Sequence, residues 1–268
     1  MTEPTYEDRV ILFLDFMGFK EIVNSTVLDP DALTSLHKAI DRLKEIGDEA
    51  LQETRRVTQF SDCVVCSFDV TQPSTVFDLL NSTAFAIVDL AYMGYLVRGG
   101  ITCGQLVHTD EYLFGPAMNE AYRLESRIAK HPRVVIDPEV LLRAGQSPAP
   151  QHDAEMEAGY VKGFMTRDDD GQYFYDYVSL NQQLALGVEP DDYPAYLWRL
   201  AKKIEEGLEA SDYSVRAKYF WLWKLYSRQI KQFRESKTID PNFREMVEGL
   251  RLFNKQAKKV AMEVAVMS

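Results

Sequence analysis

The chain has 268 residues, of which 46% are hydrophobic and 26% charged, a composition typical of a soluble globular protein. It lacks an apolar run near the ~20 residues that span a bilayer, an N-terminal signal peptide, and enough cysteines for a disulfide framework. The net charge of -11 argues against nucleic-acid binding, so we expect a cytoplasmic protein that has neither a membrane nor a nucleic-acid partner.

The first predicted element comes from the stretch "RVILFLDFMGF" at residues 9–19. Five consecutive apolar β-formers predict a strand buried on both faces, and this strand ends in Asp15. A carboxylate in such a place costs several kcal/mol unless it is paired or bound to a cation. The alternative is that Asp15 caps the following helix.

Apolar residues at spacings of three and four predict helices over residues 33–46 and 76–90. Between them, "RRVTQFSDCVVCSFDV" predicts a hairpin that turns at Ser61 and Asp62, and "YLVRGGITCGQLVH" predicts a further strand. The order β-α-β-β-α-β indicates an α+β fold, the ferredoxin-like palm, with an antiparallel sheet and helices on one face.

Beyond the palm, "GPAMNEAYRLESRIAKH" predicts a helix with Pro116 at its start, and "RVVID" a short strand. The segments "YVKGFM" and "YFYDYVSL" predict a hairpin around "DDDG". The sequence from residue 193 onward predicts helices. Residues 196–268 carry 15 Lys and Arg residues against nine Asp and Glu residues. We expect a domain over residues 1–192 and a helical C-terminal extension over 193–268 that packs on it.

Cysteine and histidine give weak signals. Cys63 and Cys66 form a C-x-x-C, but no second pair of ligands lies nearby, so we interpret both as small core residues rather than a redox or metal site. The histidines lack metal-ligand spacing and are interpreted as surface residues; they are His37, His108, His131 and His152.

The carboxylates carry the strongest chemical signal. In a palm, the strand that ends at Asp15 lies beside the hairpin that contains Asp62, so both side chains emerge at one end of the sheet. Adjacent carboxylates repel each other, and divalent cations remove that cost. Oxygen ligands favour Mg²⁺ or Mn²⁺, and one such ion or a pair of them would fit between the carboxylates. Asn119 and Arg123 are four apart and share a helix face, where the Arg can bind a phosphate.

Together these residues resemble the class III nucleotide cyclases. "FLDFMGF" is similar to the family's first metal motif, and "QFSDCVVCSF" to the second, with Ser61 in place of the usual Gly. "VRGGITCGQLV" is similar to the strand written Arg-x-Gly-Ile-x-x-Gly. "FGPAMNEAYRLES" resembles the helix written Gly-x-x-x-Asn-x-x-x-Arg, including the trailing Leu-Glu.

The resemblance implies a role for each matched position. Asp15 and Asp62 would bind two metal ions together with the backbone at Phe16. Asn119 would orient the ribose and Arg123 would stabilise charge at the α-phosphate. Lys162 is near the place of a phosphate-binding Lys. The family's shared sites imply a head-to-tail homodimer that converts a nucleoside triphosphate to a 3′,5′-cyclic nucleotide and pyrophosphate.

The positions that read the base depart from the family. Thr58 stands where adenylate cyclases have a Lys, and Tyr112 where they have an Asp; the Glu and Cys of guanylate cyclases are absent too. Tyr112 would fill the space of a purine's second ring, and both hydroxyls can serve uracil or cytosine. We expect a pyrimidine substrate, with UTP favoured over CTP. The alternative is that both residues only pack and a purine binds through other contacts.

Other functions remain open at this point. A catalytically silent nucleotide-binding homologue is one, since fold does not fix function; an adenylate or guanylate cyclase of the same family is another. A different two-metal palm enzyme, such as a diguanylate cyclase or a polymerase, would leave Asn119 and Arg123 unexplained. The chain also resembles the bacterial pyrimidine cyclases of anti-phage signalling, which implies a cyclic-nucleotide-gated effector encoded nearby.

Overall fold

The computed structural model describes residues 5–47, 53–235 and 254–267. It divides into two compact units, Met1–Asp176 and Tyr177–Ser268, so the first unit ends before residue 192, where the sequence placed the boundary. Each unit is described by itself. The packing of the C-terminal helices on the first unit stays a prediction.

The first unit holds the predicted palm. Its first part comprises β1 (Glu7–Phe16), α1 (Phe19–Thr26), α2 (Pro30–Lys44), β2 (Arg56–Phe60), β3 (Cys63–Asp69), α3 (Thr75–Met93) and β4 (Val97–His108). Its second part comprises β5 (Leu113–Phe114), α4 (Pro116–Arg123), a π-helical turn (Leu124–Ile128), β6 (Val134–Ile136), α5 (Glu139–Gln146), α6 (Ala154–Gly163), β7 (Thr166–Arg167) and β8 (Tyr173–Phe174).

The strands form one sheet in the order β2-β3-β1-β4-β6-β8-β7, with β5 paired to β4. β1 lies at the centre of the palm and pairs antiparallel with β3 on one side and β4 on the other. β6 joins the far side of β4 in parallel. The predicted α+β palm is therefore confirmed.

Helices cover both faces of this sheet, whereas the sequence predicted helices on one face. The sheet face that carries Ile11 and Phe13 packs against Ala117 and Ala121 of α4. On the opposite face, the Cys66 sulfur lies 3.9 Å from the backbone oxygen of Leu43 in α2. The difference arises because α4, which follows the palm in sequence, folds back over its second face.

The contact of α4 with the sheet is closest at Gly100. A Cβ atom there would lie 2.4 Å from Leu124 Cβ and 2.9 Å from the Ala121 carbonyl oxygen, so any larger residue would push the helix away. In the sequence, a glycine inside a strand such as "VRGGITCG" predicts a place where another backbone or a ligand comes close. The structure assigns that approach to the end of α4.

The chain turns sharply after β1. Gly18 precedes α1 with φ of 73°, a left-handed conformation that favours glycine. No side chain caps this helix. The alternative in which Asp15 serves as the helix cap is therefore wrong, and the carboxylate is available for another purpose.

The segment that contains Lys162 is helical, not a strand as predicted. Asp153 caps α6 by accepting a hydrogen bond from the Met156 backbone N–H at 2.8 Å, which starts a helix that runs through "YVKG". The hairpin begins only at β7. Arg133, buried beside it, binds both Asp168 and Asp170 and so anchors the hairpin loop.

The second unit is helical as predicted, within the part that the structure describes. It comprises α7 (Leu180–Ala185), a 3₁₀ turn (Pro190–Asp192), α8 (Tyr193–Leu208), α9 (Tyr213–Glu235) and α10 (Asn254–Met267). Trp221 is buried, but Trp198 is 51% exposed and holds the Lys202 ammonium 3.7 Å above its ring. The sequence predicts burial of the tryptophans in this region because their large apolar surfaces are costly to leave in water, and for Trp198 this prediction is wrong.

Of the described helices, one is long and apolar enough to cross a membrane by composition alone. This is α3, with a mean hydropathy of 1.3, and 56% of its apolar window is buried within the protein. Its inward residues include Leu79, Ile87 and Leu90, all of them in the core. The apolar character of α3 is accounted for by its burial within the first unit.

Candidate active site

Asp15 and Asp62 come together at one end of the palm, as predicted. Asp15 is the penultimate residue of β1 and only 8% exposed, while Asp62 lies in the turn between β2 and β3. The Phe16 backbone N–H donates to the Asp62 carbonyl oxygen at 3.2 Å and closes the strands at this point. A ligand atom from each of Asp15, Asp62 and Cys63 falls within 4.8 Å of the others.

Two residues that the sequence analysis did not assign complete this cluster. Arg98 lies directly opposite Asp15 in β4 and contacts its Oδ2 at 2.9 Å. The same guanidinium lies 2.7 Å from Oε1 of Glu125, which the π-helical turn places in the interior. Their signal was present in the motifs as the Arg of the β4 strand and the trailing Leu-Glu of the helix.

The electrostatics of the cluster show an excess of negative charge. Burial raises the pKa of Asp15, Arg98 opposes that rise, and the nearby Asp62 adds to it. Burial also raises the pKa of Glu125 to about 7, with Arg98 acting against it. One arginine thus faces three carboxyl groups, an arrangement that a bound cation would relieve.

The donor set fits a hard divalent cation. Burial and the neighbouring carboxylates raise the pKa of the Cys63 thiol to about 12, so its sulfur is a neutral thiol and a poor ligand at ordinary pH. The remaining donors of this cluster are the carboxylate oxygens of Asp15 and Asp62. Such oxygens suit Mg²⁺ or Mn²⁺ rather than a soft metal.

Asn119 and Arg123 lie apart from the carboxylates, on the exposed side of α4. The Arg123 guanidinium donates two hydrogen bonds, at 2.8 and 2.7 Å, to the carboxylate of Glu120 on the same helix. These bonds raise the pKa of Arg123, which stays a cation. The two residues predicted to bind the ribose and the phosphate therefore face solvent rather than the carboxylates of their own chain.

The predicted base-reading residues lie near the other end of β4. Thr58, half-buried in β2, lies with its Oγ1 3.0 Å from Nε2 of His108. Tyr112 is exposed in the turn between β4 and β5, where its backbone carbonyl accepts from the Thr109 N–H at 2.8 Å. The prediction that His108 is a surface residue is wrong, because this side chain is buried.

The remaining residues singled out in the sequence are Lys162 and the two cysteines of the C-x-x-C. Lys162 is exposed in the last turn of α6, on a helix where the sequence predicted a strand. Cys63 and Cys66 are both free thiols; since they are three positions apart along one strand, they point to opposite faces. Cys66 is a core residue as predicted, whereas Cys63 borders the carboxylates.

No protein-family model and no curated protein sequence match the chain. Solved structures do match. One is the adenylyl cyclase CyaB from P. aeruginosa, with a TM-score of 0.46 and 16% identity over 65% of this chain and 95% of that one. Another is the dimeric guanylyl cyclase domain of a fusion protein from the fungus Blastocladiella emersonii, with a TM-score of 0.44 and 17% identity over 65% and 97%.

A third match is the catalytic core of a rhodopsin-guanylyl cyclase with converted specificity, in complex with ATPαS. Its TM-score is 0.42, with 19% identity over 53% of this chain and 84% of that one.

Proposed function

We propose that the chain is a class III nucleotide cyclase that converts UTP to 3′,5′-cyclic UMP and pyrophosphate. The observation that carries this proposal is the meeting of Asp15 and Asp62 at the end of a palm, with their ligand atoms within 4.8 Å. The alternative of a silent homologue is less favoured, because both carboxylates, Asn119 and Arg123 are all present.

Asp15, Asp62 and the Phe16 carbonyl would hold two Mg²⁺ or Mn²⁺ ions. When bound, such ions lower the pKa of an attacking hydroxyl and stabilise charge on a phosphate. Arg98 and Glu125 act as positioning residues: the guanidinium holds Asp15 in place from β4, and Glu125 holds the guanidinium. Because the carboxylates are pre-oriented in this way, little reorganisation is needed when the substrate arrives.

The exposed position of α4 supports a site shared between two copies of the chain. Asn119 would bind the ribose and Arg123 the α-phosphate of a nucleotide held by the carboxylates of the partner. Arg123 exchanges its bonds to Glu120 for bonds to phosphate as charge develops there. A head-to-tail homodimer would contain two such sites by symmetry.

Base selection in this proposal depends on Thr58 and Tyr112. The Tyr112 ring occupies space that a second purine ring requires, and the hydroxyls meet the edge of a pyrimidine. UTP is favoured over CTP. Lys162 is the weakest member of the site, since it would have to reach the phosphates from the end of α6.

A signalling role extends the proposal. Cyclic UMP would act on a cyclic-nucleotide-gated effector encoded nearby, as in bacterial anti-phage defence, and the chain would work in the cytoplasm. This part rests on the resemblance alone. A co-encoded cyclic-nucleotide-binding protein whose activity responds to cyclic UMP would support it, and a response to cyclic AMP alone would contradict it.

The deciding experiment supplies ATP, GTP, CTP and UTP separately with Mn²⁺ and identifies the cyclic product. We expect cyclic UMP as the main product. In Tyr112→Ala, turnover of ATP and GTP relative to UTP should rise about tenfold as the ring is removed. Tyr92→Ala, a change at an exposed tyrosine of α3, is the matched control. Preference for a purine in the unaltered protein would refute the roles of both base-reading residues.

A further inference from the structure

Three buried side chains connect the interior of the sheet to Thr58. Arg9, Ser67 and His108 are 2%, 0% and 4% exposed, respectively. Arg9 Nε donates to Ser67 Oγ at 2.8 Å, and the same Oγ lies 2.8 Å from Nδ1 of His108. The far nitrogen of the ring, Nε2, lies 3.0 Å from Thr58 Oγ1. We call these three residues the relay.

The direction of the hydrogen bonds is set at the arginine. A guanidinium has donors and no acceptor, so Ser67 Oγ accepts from Arg9. The Ser67 hydroxyl proton then needs an acceptor, and among the residues that the structure describes the available one is Nδ1 of His108. Nδ1 therefore carries no proton. The neutral ring has its proton on Nε2 and donates it to Thr58 Oγ1.

The other two protonation states of His108 are disfavoured. Burial and the Arg9 and Arg56 cations lower the pKa of His108 to about 4, so the imidazolium is absent at neutral pH. The neutral form with its proton on Nδ1 would leave the Ser67 hydroxyl proton without an acceptor at a fully buried site. An unsatisfied buried donor is costly, which leaves the Nε2–H form.

We propose that the relay fixes the Thr58 hydroxyl as a hydrogen-bond donor toward the base, and so selects the 4-carbonyl of uracil over the 4-amino group of cytosine. This inference rests on the proposed function, since it takes Thr58 to face the base. Arg9, Ser67 and His108 are positioning residues in it, and Thr58 is the residue that contacts the substrate.

The selection follows from the hydrogen-bonding capacity that remains on the Thr58 hydroxyl once His108 is bound to it. One lone pair of its oxygen is used by His108, and a hydroxyl that accepts a hydrogen bond becomes a stronger donor. The carbonyl of uracil can take up the remaining proton. The amino group of cytosine cannot, so the proton would be unpaired in the filled site, with a single lone pair left to meet the amino group.

The first test measures kcat/KM for UTP and CTP on the same enzyme preparation, so that their ratio is independent of the folded fraction. We expect Thr58→Val and His108→Phe each to lower the UTP:CTP ratio about tenfold. The double variant should lower it no further, because His108 acts through Thr58. Thr102→Val, the same change at another buried threonine of this sheet, should leave the ratio unchanged.

A conservative variant distinguishes positioning from packing. In His108→Gln, the side-chain amide can accept a hydrogen bond from Ser67 and donate one to Thr58. The UTP:CTP ratio of kcat/KM should therefore be close to that of the unaltered protein. An unchanged ratio in His108→Phe, together with a lowered one in Thr58→Val, would overturn the relay. Additive losses in the double variant would do the same.

The second test needs no activity. The ¹⁵N shifts of the imidazole nitrogens, assigned by comparison with His108→Phe, should show protonated Nε2 and bare Nδ1 at neutral pH. A proton on Nδ1, or an imidazolium, would overturn the relay. If no nucleotide is cyclised, the proposed function fails while this measurement still decides the relay. A preference for CTP would overturn the selection of uracil.

Discussion

The end of the sheet and the exposed face of α4 carry the two halves of the proposed site, and they differ in how far one chain completes them. Asp15 is 8% exposed and held by Arg98 from the neighbouring strand. The Arg123 side chain is 45% exposed and held by Glu120 of its own helix. The first half is built by tertiary contacts, whereas the second is a helix surface that needs a partner to become a site.

The largest expected effect comes from the sheet end. Asp15→Ala and Asp62→Ala should each lower the cyclisation rate by roughly three orders of magnitude, because each removes a proposed metal ligand. Melting temperature should rise with Mn²⁺ in the unaltered protein and not in the variants. Near-normal turnover with Mn²⁺ in either variant would refute the two-metal proposal.

A subtler result would sharpen the same point. Removing one of two repelling carboxylates relieves repulsion in the metal-free protein. Asp62→Asn, which preserves the shape of the half-exposed side chain, should therefore unfold at an equal or higher temperature than the unaltered protein without metal. A marked fall in that temperature would show that the carboxylate has a structural rather than a ligand role.

The helix face is tested by mixing subunits. Arg123→Ala and Asp62→Ala should each be inactive alone. If the site is shared, random exchange makes half of the dimers mixed, each with one intact site, so about a quarter of the activity should return. Absence of recovery, with exchange confirmed by mass spectrometry, would mean that the site is built within one chain.

A buried histidine makes the sheet interior sensitive to pH in a way that the helix face is not. The pKa of His108 is lowered to about 4, whereas the unfolded chain binds that proton below its ordinary value of 6.5. The contribution of His108 to the free energy of unfolding should thus fall as pH drops from 6.5 to 4, whereas that of Glu125, with its raised pKa, changes in the opposite direction. The His108 contribution is isolated as the difference in urea midpoint between His108→Phe and the unaltered protein, which should shift in favour of His108→Phe as pH falls across this window.

The control for that experiment is His37→Gln, a change at an exposed position of α2. It should leave the pH dependence as it is. If His108→Phe and His37→Gln both behave like the unaltered protein, His108 does not stay neutral in the folded state.

The smallest expected effect concerns the turn that presents Asp62. Ser61 has φ of 53°, a left-handed conformation that costs a non-glycine residue about 1–2 kcal/mol. Ser61→Gly should raise the free energy of unfolding by about 0.5–1 kcal/mol, because the relief of this strain is only partly offset by the larger entropy that glycine loses on folding. Ser61→Ala is the control and should give no gain; equal urea midpoints for all three would contradict the idea of strain.

Much of the palm follows from local pattern. Alternating and continuous apolar runs identify β1 to β4, and the order of elements places Asp15 beside Asp62. What the sequence analysis missed depends on contacts between distant residues. His108 is buried because Ser67 and Arg9, from two other strands, supply its polar environment. Isolated in the sequence, it has the same appearance as the exposed His37.

Two further misses have local causes. The strand predicted around Lys162 is a helix because Asp153, nine residues earlier, caps its start. The Arg98–Glu125 contact was not predicted, although both residues stand in recognised motifs. Their pairing depends on the π-helical turn after Arg123, which turns the Glu125 side chain inward. Such a turn is rare and has no simple hydrophobic pattern in the sequence that would predict it.

Gly100 has a mechanical consequence. Ala121 and Leu124 lie directly against this residue of β4, and β4 is hydrogen-bonded along its length to β1. The helix that carries Arg123 and the strand that carries Asp15 are therefore held together as one packed unit. The backbone at Arg123 therefore keeps its position relative to Asp15 of its own chain as long as this contact at Gly100 holds, while the exposed Arg123 side chain stays free to change partners. If the proposed site is shared between two copies, its opening and closing would depend on how two such units approach each other, and control of activity would act on the spacing between copies rather than on a hinge within one.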